Sequence, residues 1–193
     1  MIKNKTMRIT GGLLVRRLFL IPPLLEEGVV RPASDRLRES LFASIKDDLL
    51  DAQVLDLFAG SGAYGFESLS RGAQKVVFIE KNHLIYECLK TSIKNLGLET
   101  SIELVLGDAQ KFVLNNYTKF DVIFLDPPFA LKLSPEFFKN LSNFADASTM
   151  VIFRCFKKEA PLLSPDWVIV KEKMYGSSKV FFISLKPQGE VND

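Results

Sequence analysis

The chain has 193 residues, 47% hydrophobic and 25% charged, long enough for one domain with a substantial core. No apolar run reaches the ~20 residues that cross a bilayer, and the proline-broken LFLIPPLL stretch lacks a signal-peptide cleavage pattern, which argues against a membrane protein. Cys88 and Cys155, the only cysteines, lack zinc or disulfide spacing and point to a reducing, cytoplasmic setting; the net charge of +2 is uneven, with eight basic against four acidic side chains in residues 1–40.

Clustered Lys and Arg at the front suit a polyanion such as nucleic acid, although a solvated basic surface accounts for the charge equally well. Residues 1–6 are polar and expected to fray. From Met7 to Val30, the RITGG and VRRLFLI stretches predict a short β-hairpin or extended arm. Ser34 or Asp35 can cap a helix running through LRESLFASIKDDL, with Leu37, Leu41, Phe42 and Ile45 on one face. Strands and helices then alternate: VLDLFA, GAYGFESLSR, KVVFIE, NHLIYECLKTSIKNLG, IELVLG, a short helix near Ala109, and FDVIFLD. That rhythm predicts an α/β fold with a parallel sheet between helices. A helix at PEFFKNLSNF, a strand at TMVIFRC and an antiparallel pair around GSS complete the reading. The expected division is an arm at residues 1–30, an α/β domain at 31–187 and a tail at 188–193.

The DLFAGSGAYG stretch lies where the first strand of the sheet gives way to a helix. Glycines there let a ligand approach backbone N–H groups at the helix N-terminus. Gly60, Gly62 and Gly65 fit GxGxxG, and Glu80 ends the next strand 24 residues after Asp56, an arrangement that also fits NAD. Two details favour S-adenosylmethionine. Asp56 would crowd a pyrophosphate but can anchor a cationic ammonium, directly or through water. Gly107, Asp108 and Ala109 can place an acceptor near an adenine amine while Glu80 accepts from ribose hydroxyls. Taken singly, Asp56 and Asp108 could equally be helix caps and Glu80 an exposed strand end.

FDVIFLDPPF ends a buried apolar strand with a carboxylate, two prolines and an aromatic. A nucleobase amine is a poor nucleophile and needs acceptors to draw its protons into a reactive geometry; the Asp126 carboxylate and the Pro127 carbonyl can supply them. Pro127 and Pro128 stiffen the backbone, and Phe129 offers a ring for an extruded base to stack on. His83 reads as a surface or capping residue and Trp167 as core.

The order RPASDRLRESLF, DLFAGSGAYG, IEKN, GDA and DPPF, spread over nearly the whole chain, resembles the RsmD-like methyltransferases. The resemblance implies a class I methyltransferase fold: a seven-stranded, mostly parallel sheet with helices on both faces, an antiparallel last strand and an N-terminal hairpin for RNA. It also implies methylation of a guanine N2 amine in small-subunit (16S) ribosomal RNA, free or in the assembling 30S subunit, by a monomer using S-adenosylmethionine without a metal. Asp56, Ala59, Gly60, Gly62, Glu80, Lys81, Asp108 and Ala109 match cofactor positions, and Asp126, Pro127, Pro128 and Phe129 the catalytic tetrapeptide. Arg8, Arg16 and Arg17 of the arm, with Arg31, Ser34, Asp35, Arg36 and Arg38 of the pre-helix motif, match RNA-side positions. The arm departs from the family pattern at Val15 and Arg16, where a basic residue and a glycine are usual, and Arg154 stands where relatives often carry a carboxylate. The competing readings are an adenine-N6 methyltransferase, an NAD-dependent oxidoreductase, and a non-catalytic RNA-binding factor.

Overall fold

A computed structural model describes residues 5–22, 33–115 and 118–187. The front of the chain forms an antiparallel hairpin of β1 (Thr6–Arg8) and β2 (Leu18–Leu20). Arg16 turns it with φ of 68°. Helix α1 (Asp35–Ser44) follows, capped by the Ser34 side chain, which accepts from the Leu37 N–H. It stops short of the predicted end because residues 46–48 are exposed and polar; a turn after Ile45, not another helical turn, buries Leu49.

The rest alternates as the sequence predicts: β3 (Gln53–Asp56), α2 (Ala63–Ser70), β4 (Lys75–Glu80), α3 (His83–Leu96), β5 (Ile102–Leu106), α4 (Ala109–Phe112) and β6 (Val122–Leu125). Then come α5 (Pro135–Leu141), β7 (Met150–Phe156), β8 (Trp167–Tyr175) and β9 (Ser178–Leu185). The seven strands lie in the order β5-β4-β3-β6-β7-β9-β8. Neighbours from β5 to β7 are parallel, and β9 runs antiparallel between β7 and β8. The strand order reverses between β3 and β6, which opens a crevice at their carboxyl ends.

Successive strand residues face opposite sides, so the continuous apolar runs feed two cores. One holds Val54, Phe78 and Phe124 against Leu41, Phe42, Phe66 and Leu89 of α1 to α3. The other holds Leu55, Leu125 and Phe153 against Phe137 and Phe138 of α5. Gly65 sets the approach of α2 to the sheet, because a Cβ there would lie 2.3 Å from the Phe78 ring.

The hairpin is tied down by buried charge. Arg38 and Glu67 are wholly buried and paired, Nε to Oε1, at 3.2 Å. Arg38 also donates to the carbonyls of Ala33 (2.9 Å) and Arg8 (2.7 Å) and to Asp35 (2.9 Å). Glu67 further accepts from the Thr10 N–H at 2.8 Å and from Arg71. Leu20 N–H reaches Ser92 Oγ on α3 at 3.0 Å, and Phe19 packs on Phe66. Arg38 therefore cannot serve the RNA contact expected of it: its donors are spent inside the protein, joining hairpin, α1 and α2.

Removing one partner of a buried pair strands the other. Arg38→Met should cost about 3–5 kcal/mol in urea unfolding and release the hairpin to limited proteolysis. A loss under about 1 kcal/mol with an intact hairpin would show that this network is not what fastens it.

Candidate active site

The crevice at the strand reversal contains a cleft of about 200 Å³. One wall comes from Phe58 and Gly60 after β3, another from Glu80 and Lys81 at the end of β4, and a third from Gly107, Asp108 and Ala109 after β5. Asp126, Pro128 and Leu131 close it on the β6 side. Glu80 is a buried strand end, not an exposed one. Its Oε2 accepts from Gly60 N–H at 2.9 Å and its Oε1 from Asn82 N–H at 2.8 Å, which fixes the carboxylate at the cleft wall. The Gly60 N–H is thus turned to Glu80. Asp108 both lines the cleft and caps α4, accepting from Gln110 N–H at 2.9 Å and Lys111 N–H at 3.3 Å.

Asp56, Ala59 and Gly62 lie behind the wall rather than in it. Gly62 begins α2 with φ of 76° and no side-chain cap, a conformation that favours glycine. Asp56 is fully buried, and neither carboxylate oxygen has a hydrogen-bond partner among the described residues. The backbone N–H groups of Phe58 and of Gly65, in the first turn of α2, lie near enough to favour its charged form. Burial, reinforced by the negative charge of Asp126, pushes its pKa up to about 8.

The tetrapeptide turns away from four wholly buried strand residues. Asp126 sits at the carboxyl end of central strand β6 with two donors converging on Oδ2: Tyr64 Oη at 3.1 Å and Arg154 Nη1 at 2.8 Å. Arg154 is held in turn by Ser178, whose Oγ accepts from Nε at 3.2 Å and Nη2 at 3.1 Å. Tyr64 stacks on Phe124 at 4.9 Å. Burial raises the Asp126 pKa, while the Arg154 charge and the hydrogen bonds from Arg154 and Tyr64 oppose the rise. Both donors occupy Oδ2, and no donor reaches Oδ1 among the described residues. Phe129 lies outside this cleft. It is 43% exposed, beneath the Arg154 guanidinium at 5.6 Å and edge-on to Phe156 at 6.2 Å.

Tyr64 and Arg154 are the side chains around Asp126 that the motif reading did not assign. Arg154 leaves a signal, since it is one charge in the otherwise apolar MVIFRCF strand. Tyr64 leaves none, because an aromatic on a buried helix reads as core. Of the RNA-side candidates, Arg16 and Arg17 are exposed on the hairpin and Arg8 pairs with Asp35 at 2.8 Å. Ser34 serves as the α1 cap, and Arg36 is exposed beside a cavity reaching Met174 and Tyr175. Arg31 lies outside the described residues.

Comparison with known proteins decides the family. The family described as Conserved hypothetical protein 95 matches residues 7–184. The ribosomal RNA small subunit methyltransferase D of Haemophilus influenzae is 35% identical over 175 residues, 88% of this chain and 89% of that protein. The chain belongs to the RsmD family. The Escherichia coli protein of the same description is 32% identical over 188 residues, 95% of this chain and 92% of that one. Among solved structures, Escherichia coli yhhF superposes with a TM-score of 0.83 at 28% identity, covering 95% of this chain and all of that one. A hypothetical protein of Thermus thermophilus gives 0.77 at 25% identity, over 93% of this chain and 99% of that one. The sheet, with β9 inserted antiparallel, is that of the class I methyltransferases, as an RsmD relative requires.

Asp56 supplies a test. Its pKa is raised from the ordinary 3.8 to about 8, so its contribution to stability is present below the ordinary value and is lost as pH rises through the folded one. The melting temperature of the ligand-free protein should fall between about pH 4 and 8 more than that of Asp56→Asn, which carries no charge there. Parallel profiles would remove the unpaired buried charge from the account.

Proposed function

We propose that this protein methylates the exocyclic N2 amine of a guanine in small-subunit ribosomal RNA, bare or in an assembling subunit, with S-adenosylmethionine as donor. The observation that carries the reading is Asp126: a carboxylate on the cofactor-cleft wall, one oxygen fixed by Tyr64 and Arg154 and the other open.

The cleft fits such a donor by charge and by shape. Glu80, Asp56 and Asp126 end three neighbouring strands, and neither Asp56 oxygen has a hydrogen-bond partner among the described residues. Burial holds Asp56 largely protonated near neutral pH, and a cationic ligand favours its ionised form, as a pyrophosphate would not. Glu80 would hold the ribose hydroxyls and Asp108 the adenine side, with Asp56 contributing its field from behind the wall. Bound there, S-adenosylmethionine supplies an electrophilic methyl carbon, so no covalent enzyme intermediate is needed.

The chain's own residues prepare the amine. Asp126 Oδ1 and the Pro127 carbonyl accept its two N–H bonds, which directs the nitrogen lone pair at the cofactor cleft. As the amine becomes cationic, the Asp126 charge stabilises it and can take the released proton. Pro127 and Pro128 hold the acceptors in place without reorganisation. The names of the curated relatives favour RNA, and the exposed arginines of the hairpin suit its phosphates.

Asp126→Ala should keep S-adenosylhomocysteine binding and lose on the order of 100-fold or more in methyl transfer to unmodified small-subunit RNA. Unimpaired turnover would contradict the assignment. The pH profile tests the support of Asp126. The carboxylate is the working form, and it faces Asp56 on β3, Tyr64 on α2 and Arg154 on β7. Burial raises its pKa and Arg154 lowers it, so Arg154→Met should move the acid limb of kcat to higher pH, with partial return in Arg154→Lys. Superimposed profiles for wild type and Arg154→Met would show that Arg154 merely holds β7 to β9.

A further inference from the structure

The side chains that hold Asp126 come from two different elements, neither of them its own strand. Tyr64 stands in the first turn of α2, directly after the glycine loop, and is buried. Its ring lies flat on Phe124 of β6, at an interplanar angle of 9°, and its hydroxyl reaches Asp126. Arg154 comes from β7, the strand beside β6. In the β7–β9 ladder Arg154 lies opposite Val180 and Phe156 opposite Ser178, so Arg154 and Ser178 are diagonal neighbours on one face of the sheet. The buried Ser178 hydroxyl accepts from Nε and Nη2 of the guanidinium, and the remaining nitrogen, Nη1, meets Asp126.

Neither hydroxyl is required by the packing around it. Six residue pairs already join β7 to β9, and a phenylalanine ring would stack on Phe124 as the tyrosine ring does. What each hydroxyl adds is a constraint. The outer torsion of an aspartate is broad, and a single donor would leave its carboxylate free to swing. Two donors from separate elements converging on Oδ2 fix it, while Oδ1 stays open for the proposed amine. A long arginine side chain gives up rotamer freedom to keep one pose, and the Ser178 hydroxyl supplies that hold. Burial and the adjoining carboxylate raise the Tyr64 pKa well above the usual phenol, so it remains a donor wherever Asp126 is ionised. Because Tyr64 follows Gly60 and Gly62, the segment that frames the cofactor cleft also orients the carboxylate. We infer that Tyr64 and Ser178 are positioning residues for methyl transfer, Tyr64 acting on Asp126 directly and Ser178 through Arg154, an inference that rests on the RNA methyltransferase reading above.

The test measures kcat, KM and S-adenosylhomocysteine affinity with unmodified small-subunit RNA for Tyr64→Phe, Ser178→Ala and Ser178→Thr. Tyr64→Phe and Ser178→Ala should each lower kcat about five- to tenfold, as expected for one hydrogen bond, with KM and S-adenosylhomocysteine affinity close to wild type. Ser178→Thr, which keeps the hydroxyl, should restore most of the loss. In an Arg154→Met background Ser178→Ala should lose nothing further, because it acts only through that arginine. The groups facing Asp126 are Tyr64 on α2, Asp56 on β3, and Arg154 and Cys155 on β7. The Tyr64 hydrogen bond lowers the Asp126 pKa, so Tyr64→Phe should also move the acid limb of kcat to higher pH. Wild-type kcat with an unmoved acid limb in Tyr64→Phe, or a Ser178→Ala loss that persists in full beside Arg154→Met, would overturn the positioning roles and leave the methyltransferase reading intact. An equal loss of S-adenosylhomocysteine affinity in these variants would mark a general structural defect and also overturn them. Absence of methyl transfer by the wild type would instead refute the underlying function, and this inference with it.

Discussion

Negative charge gathered at the ends of three adjacent parallel strands is the constraint around which this protein is arranged. Glu80, Asp56 and Asp126 close β4, β3 and β6, side by side in the sheet. Carboxylates removed from water cost free energy unless something answers them, and each is answered differently. Two backbone N–H groups hold Glu80, Tyr64 and Arg154 hold Asp126, and Asp56 has only the looser support of the Phe58 and Gly65 backbone N–H groups. Ionising Asp56 in this setting calls for a cation nearby, which is what the proposed sulfonium cofactor would bring.

The arginines divide by burial rather than by position in the sequence. Arg38 and Arg154 both turn inward, and each gathers partners that the chain separates widely. One fastens the hairpin to the helices beneath it, and the other fixes the orientation and charge of the acceptor carboxylate. Arg16, Arg17 and Arg36 stay in solvent, where a polyanion can meet them. The same residue type thus ties elements together, supports Asp126 and forms an exposed basic surface, according to how much water each site retains.

The DPPF tetrapeptide carries the chain from core to surface. Its first residue turns to Tyr64 of α2, its backbone stiffens at the two prolines, and Phe129 emerges partly exposed beneath the Arg154 guanidinium.

Most of the frame is legible in the residues alone. Continuous apolar runs, a cap such as Ser34, and glycines at Gly62 and Gly65 determine the strands, helices and strand-to-helix turn, because these depend on neighbours within a few positions. The motifs also place Glu80, Asp108 and Asp126 at the cleft. What the sequence could not decide is how the charges are shared out. RPASDRLRE reads as an arginine-rich surface, yet Arg38 is the most deeply buried of its described arginines; Arg154 is a lone charge in an apolar strand until Asp126, 28 residues earlier, is seen beside it. Local patterning fixes which elements form, whereas a charge takes its role from its partners and its access to water, and both are set only when distant segments are folded together.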